Sequence, residues 1–186
     1  MMRFLLLCLL CCLLLSPATV FAKKVYDVDL PEQETLSGEV LHLNGYGLRT
    51  KFFIKVYLGS LYTASPVKST AQVLAQPGAK LIRMDFIHSK VGREKIVEAF
   101  AEGFEKNSPQ LKNDPALKSF LDLFTADFIS GDRVDLLVAG DGSVSAVHNG
   151  RELGTVVSPV LGEAVLLIYL GDEPADEDLK EGMLGS

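Results

Sequence analysis

Three side chains within one stretch carry the chemistry this sequence can offer. Arg49, Tyr57 and Tyr62 stand in Leu43-Asn-Gly-Tyr-Gly-Leu-Arg-Thr-Lys-Phe-Phe-Ile-Lys-Val-Tyr-Leu-Gly-Ser-Leu-Tyr62. A guanidinium presents a planar fork of donors that matches a carboxylate. A phenol adds a neutral donor beside it. Together they can hold an acid head group, or steady an enolate or phenolate that forms during a reaction. The plainer reading is an arginine on an open sheet surface and tyrosines packed by their rings.

Which reading applies depends on the element that carries them. Period two puts Arg49, Lys51, Phe53, Lys55 and Tyr57 on one face of a strand, and Leu48, Thr50, Phe52, Ile54, Val56 and Leu58 on the other. The eight residues from Arg49 to Tyr57 span roughly 27 Å if the strand runs straight. The two therefore meet only if the segment folds back near Lys51 to Phe53. Tyr62 has the opposite parity to Arg49, and joins it only if Gly59 makes a one-residue bulge.

The flanking segments read as an α+β chain. Leu36 to Leu43 alternates and ends at Asn44-Gly45, a turn signal. Ala71 to Ala75 is one helical turn. Lys80 to His88 is a strand, with Leu81, Arg83, Asp85 and Ile87 on one face and Ile82, Met84 and Phe86 on the other; Asp85 is expected at the surface. Gly92 caps a helix whose Ile96, Val97, Phe100 and Phe104 recur at helical spacing, and Asn107 and Pro109 stop it. Asp114 and Pro115 start a second helix. Three short strands follow, Arg133 to Ala139, Ser143 to His148 and Arg151 to Val157, with Asn149-Gly150 as a hairpin turn. Ser158-Pro159 opens a helix through Leu170. Asp172 to Leu184 is acidic and ends in a short amphipathic piece, and Asp172 to Glu181 is expected to be a solvated helix end. Strands, two helices, an antiparallel meander and then helices imply a large antiparallel β-sheet with a layer of helices on one face.

Residues 1–22 have the anatomy of a secretory signal peptide. Arg3 precedes an apolar run from Leu5 to Leu15, and Val20-Phe-Ala22 offers a cleavage site. Residues 23–186 are then a single domain, periplasmic or secreted. All three cysteines leave with the leader, so neither disulfide nor thiol chemistry is expected. The run is too short for a permanent anchor, and no stable membrane anchor is expected after cleavage. A formal net charge of −6 argues against nucleic-acid binding. His42, His88 and His148 lack metal-ligand spacing. Gly140-Asp-Gly142 is a turn rather than a calcium loop, and no helix follows Gly45-x-Gly47 to receive a phosphate. Neither metal nor cofactor is expected, and oligomeric state is left open.

The motif Asn44-Gly-x-Gly-Leu-Arg49-Thr-Lys-Phe-Phe-x-Lys-Val-Tyr57-x-x-x-Leu-Tyr62 resembles the signature of the chalcone isomerase-like family, in its bacterial exported branch. The likeness continues through Phe120-Leu-x-Leu-Phe124, Gly131-Asp132, Asn149-Gly150-x-x-x-Gly154, Leu170-Gly-Asp-x-Pro174 and Asp178-Leu-Lys-x-Gly-Met-Leu-Gly185. The resemblance implies an open-faced α+β sandwich with a cleft between sheet and helices. It implies that Arg49 projects into that cleft, and that Tyr57 joins it on the carboxylate of a bound fatty acid. Tyr57 stands where the plant isomerases have their catalytic threonine, as in non-catalytic members. The first expectation is therefore a binder of a small amphipathic acid, with Arg49, Tyr57 and Tyr62 as ligand-binding residues. The alternatives are an isomerase or intramolecular lyase acting on a chalcone-like enone or phenolic substrate with Arg49 as electrophile, and an envelope structural or partner-binding protein with a vestigial cleft.

Overall fold

The structure is a computed structural model that describes residues 22–36 and 38–185. The leader expected over 1–22 lies outside the described residues, apart from Ala22 where the first strand begins. Strands β1 (Ala22–Val25) and β2 (Val28–Pro31) form a hairpin. The main sheet contains β3 (Gln33–Leu36), β4 (Glu39–Lys51), β5 (Ile54–Thr63), β6 (Lys80–Phe86), β9 (Arg133–Val138), β10 (Val144–His148) and β11 (Arg151–Val156). Its order is β11-β10-β9-β6-β5-β4-β3, antiparallel throughout. A small pair, β7 (Lys90–Val91) and β8 (Phe128–Ile129), lies apart. The helices are α1 (Thr70–Ala75), α2 (Arg93–Asn107), α3 (Pro115–Asp122), α4 (Leu161–Leu170) and α5 (Glu177–Leu184). This is the expected fold class, an α+β arrangement of a seven-stranded antiparallel sheet and helices.

The two faces of the sheet differ. Tyr57 and Leu61 of β5, Ile82, Met84 and Phe86 of β6, and Val134 and Leu136 of β9 share one core with the helices. Leu41, Tyr62, Ala79 and Leu81 form a smaller cluster on the opposite face. The expected parity of β6 holds, but its polar residues are not at the surface. Asp85 is only 6% exposed, and Arg133 Nε donates to its carboxylate at 2.6 Å. The β1–β2 hairpin reaches this side, where Arg133 also donates to the Asp29 carbonyl. Burial raises the Asp85 pKa, and the Arg133 guanidinium opposes that rise. Arg83 beside it is saturated: Nε and Nη2 donate to Asp135 at 2.7 and 2.9 Å, and Nη1 to Glu34.

The turn signal in the central motif is used differently from its usual meaning. Asn44-Gly45 does not end a strand. β4 runs through it, and Asn44 is the extra residue of a bulge between Leu43 and Gly45. Its side chain satisfies two otherwise separate segments: Nδ2 donates to the Met183 carbonyl and Oδ1 accepts from Val67 N–H, each at 2.8 Å. The real break is at Phe52-Phe53, where φ is 50° and 68°. These are the angles of a two-residue primed turn, normally filled by Asn-Gly. Holding a bulky residue there costs about 1 kcal/mol or more each.

Folding back pairs β4 with β5, and three glycines then admit α5. A Cβ on Gly45 would stand 2.2 Å from the Gly182 carbonyl oxygen, and one on Gly47 2.7 Å from Leu179 Cα. A Cβ on Gly182 would meet the Tyr46 carbonyl at 2.3 Å. The backbone of α5 therefore lies directly on the backbone of β4. Gly47→Ala is expected to lower stability by about 1–3 kcal/mol, because the methyl meets backbone that cannot rotate away. A urea midpoint unchanged from the parent chain would contradict this close approach.

Candidate functional site

The hairpin brings Arg49 and Tyr57 together as directly opposed cross-strand partners. Opposed residues point to the same face with Cβ atoms about 5 Å apart. Neither would sit there on a straight strand. The face is built from Gly45, Gly47 and Arg49 on β4 against Leu61, Gly59 and Tyr57 on β5. Helix α5 covers its glycine half and stops short of Arg49.

Asp176 closes that end. It is the N-cap of α5, and its Oδ1 accepts from Leu179 N–H at 3.0 Å. Oδ2 accepts from Thr50 N–H at 3.1 Å and faces Arg49 Nη1 at 3.3 Å. The same Nη1 donates to the Thr50 carbonyl at 2.8 Å. The chain into this cap is held by Asn107 at the end of α2. Its amide donates to the Glu173 carbonyl at 2.8 Å and accepts from Glu173 N–H at 3.1 Å. One carboxylate thus caps a helix, ties it to a strand and orients an arginine.

Arg49 differs from Arg83 in what it has left to offer. Arg83 uses all three of its nitrogens on carboxylates and its side chain is 4% exposed. The Arg49 side chain is 14% exposed, and among the described residues its Nη1 alone takes protein carboxylate and carbonyl. Its positive charge acts on the Tyr57 hydroxyl across the strand pair. Tyr57 is buried, stacked edge-on against Phe86 with ring centroids 5.5 Å apart. Burial pushes its phenol up to about 12, although the Arg49 guanidinium pulls the other way. Tyr169 of α4 interacts with it electrostatically, and its own hydroxyl donates to Met84 Sδ at 3.2 Å. Burial raises its phenol well above the ordinary range. Both hydroxyls keep their protons at neutral pH.

Arg49 and Tyr57 line a cavity of about 500 Å³ between the β4–β5 hairpin, β7 and the first turns of α2. Ile54, Val56, Val91 and Ile96 give it an apolar wall. Lys51, Lys90 and Lys95 stand around it with Glu98, so basic groups outnumber acidic ones in a chain of net charge −6. His88 also lines it, while Lys95 pairs with Glu98 at 2.9 Å. The volume lies within the range of small-ligand sites.

Tyr62 does not join this group. No register shift occurs at Gly59, which pairs with Gly47 in regular register, so the bulge it needed is absent. Tyr62 falls on the opposite face, with the Arg83 guanidinium 5.4 Å from its ring centre. Asp176 and Tyr169 are the site residues that sequence reasoning passed over. Asp176 belongs to the acidic stretch whose residues are expected to be solvated. Its signal was present all the same: an Asp after Pro174, just before Leu179 and Met183 at helical spacing, is an N-cap pattern. Tyr169 had no such signal, because its helix is apolar nearly all round.

Comparison with known proteins agrees with this architecture. The chain is 26% identical over 143 residues to fatty-acid-binding protein 1 of Arabidopsis thaliana, a match covering 70% of this chain and 51% of the relative. The chain thus spans about half the length of that curated relative. The crystal structure of an Arabidopsis thaliana fatty-acid binding protein superposes with a TM-score of 0.71 at 21% identity, covering 88% of this chain and 96% of the other. That likeness is one of fold. The description chalcone isomerase-like matches residues 22–185, a span that contains every described residue, and the chain belongs to the chalcone isomerase-like family.

Proposed function

We propose that this protein is a non-catalytic, exported binder of a small amphipathic acid such as a fatty acid. The observation that carries the reading is the pairing of Arg49 with Tyr57 at the end of an apolar-walled cavity of about 500 Å³. The ligand carboxylate takes the free side of the Arg49 fork and the Tyr57 O–H. The tail runs along Ile54, Val56 and Ile96. A relative named for fatty-acid binding supports the ligand class. The raised phenol of Tyr57 supports binding over catalysis, since it donates a hydrogen bond at neutral pH but is a poor general base.

The electrostatics are balanced rather than one-sided. Asp176 already neutralises part of the Arg49 charge, and a second carboxylate must settle beside it. The lysines at the mouth offset this only through solvent. Affinity is therefore expected to be moderate and salt-sensitive.

Three outcomes test the site. Native mass spectrometry and displacement of a fluorescent fatty acid should detect one bound acid per chain. Arg49→Gln should weaken binding about 10- to 100-fold, the worth of a charge-assisted pair of hydrogen bonds, and Tyr57→Phe about 3- to 10-fold. Unaltered affinity in Arg49→Gln would remove the head-group assignment. Asp176→Asn keeps a competent N-cap while deleting the competing charge, so it should tighten binding about 3- to 10-fold. Weaker binding in that variant would mean that Asp176 acts mainly by orienting Arg49.

A separate test concerns pH. The folded chain retains the Tyr57 proton up to about 12, above the ordinary value of 10.0. Stability linked to this phenol is present below pH 10 and is lost as pH rises through about 12. Absorbance of phenolate near the end of an alkaline titration should lose one late-ionising group in Tyr57→Phe. An early step vanishing instead would place Tyr57 in contact with solvent.

A further inference from the structure

The tip of the β4–β5 hairpin is the most exposed apolar feature among the described residues. Phe52 is 84% exposed, Phe53 100% and Ile54 48%. These residues are not there for the turn, since both phenylalanines hold positive φ where Asn-Gly would fit without strain. Nor do they fill the core. Lys51 and Lys55 flank them, and no acidic residue lies within this segment. Lys55 has no carboxylate partner among the described residues. Its ammonium lies 4.5 Å from the ring centre of Tyr26, at the turn of the β1–β2 hairpin, which is itself half exposed. Two neighbouring hairpin turns thus present aromatic side chains with lysines between them. Lys24 and Asp27 at the second turn pair with each other, and Lys51 faces Glu102 at 3.8 Å.

We infer that this tip docks on a membrane surface containing anionic lipid, with Phe52 and Phe53 entering the acyl boundary and Lys51 and Lys55 meeting the head groups. Exposed aromatics ringed by lysines match what an interfacial segment needs: apolar side chains to bury, and positive charge to hold them there. The turn meets its own backbone hydrogen bonds through the hairpin, so only side chains have to enter the bilayer. A second copy of the chain fits less well. The exposed parts of Phe52, Phe53, Ile54 and Tyr26 amount to a few hundred Å², short of the roughly 800 Å² per partner that a stable dimer buries. The docking does not require an acid in the cavity, although Phe52 and Ile54 line both the tip and the cavity mouth.

The test uses a chain beginning at Ala22, which carries every described element of the fold and lacks the apolar leader. Vesicles of phosphatidylethanolamine and phosphatidylglycerol at three to one are floated with the protein, alongside vesicles of phosphatidylcholine alone. The parent chain should float with the anionic vesicles at least tenfold more than with the neutral ones. Phe52→Asn with Phe53→Gly should abolish flotation while raising Tm, because Asn-Gly relieves the turn. Tryptophan is absent from the sequence, so Phe53→Trp supplies a single probe. Its emission should shift to the blue and be quenched by brominated lipid. Arg49→Gln should float like the parent chain, which separates docking from acid binding. Flotation that survives the double substitution, or an unquenched tryptophan, would overturn the proposal. So would a dimer in lipid-free sedimentation that dissociates in the double variant, since that would assign the tip to a second copy.

Discussion

Backbone-on-backbone contact between α5 and β4 is the constraint from which the site follows. Gly45 and Gly47 leave a side-chain-free trough on β4, and Gly182 removes the matching obstruction from the helix. Only then can α5 lie flat on the strand and bring its first turn beside Thr50. The helix start supplies unpaired N–H groups that call for an acceptor. Asp176 supplies it, and its second oxygen is left pointing at the strand it has just approached. Arg49 is the next inward-facing residue after the glycines, so helix position and arginine orientation are one geometric fact. The glycines serve packing against a helix, not the cradling of a phosphate.

The same sheet contains two clusters of arginine, tyrosine and acid, and their difference is instructive. On one face Arg83 stacks on Tyr62 and is saturated by Asp135 and Glu34. A buried guanidinium needs this, because an uncompensated charge there would be strongly destabilising. On the other face Arg49 is only partly satisfied and stands beside a cavity. Residue type alone does not separate a saturated arginine from one with donors to spare. The count of donors still available does.

Much of this was legible in the sequence, and the failures have particular causes. Asp114-Pro115, Gly92 and Asn149-Gly150 mark their elements because each acts through local backbone chemistry. The core face of β6 was readable from alternation. The turn at Phe52-Phe53 was not, since aromatic residues carry no preference for positive φ; only the need for Arg49 and Tyr57 to meet hinted at it. Asn44-Gly45 misled because its side chain is used to join the Met183 carbonyl to Val67 N–H across a bulge, contacts far away in sequence. The burial of Asp85 departs from expectation because parity tells which face a residue is on, not whether another hairpin reaches that face. Asp176 and Tyr169 entered the site through tertiary packing, which no period encodes.

Partial satisfaction of Arg49 bears on how the site can work. A guanidinium left wholly unpaired in a site 14% exposed would weigh against folding of the empty protein. One matched fully by carboxylates, as Arg83 is, would have nothing to offer a ligand. Asp176 sets an intermediate state: the empty site is tolerable, and under the proposed function the remaining Arg49 donors beside a protonated Tyr57 would attract an anion. On that proposal, repulsion between two carboxylates on one arginine would limit the affinity. Such a limit suits a protein that takes up an acid and gives it back, and suits poorly one that must retain it. The same reasoning ties ligand binding to α5, since any anion that draws Arg49 away from Asp176 also loosens the contact between a strand and the cap of that helix.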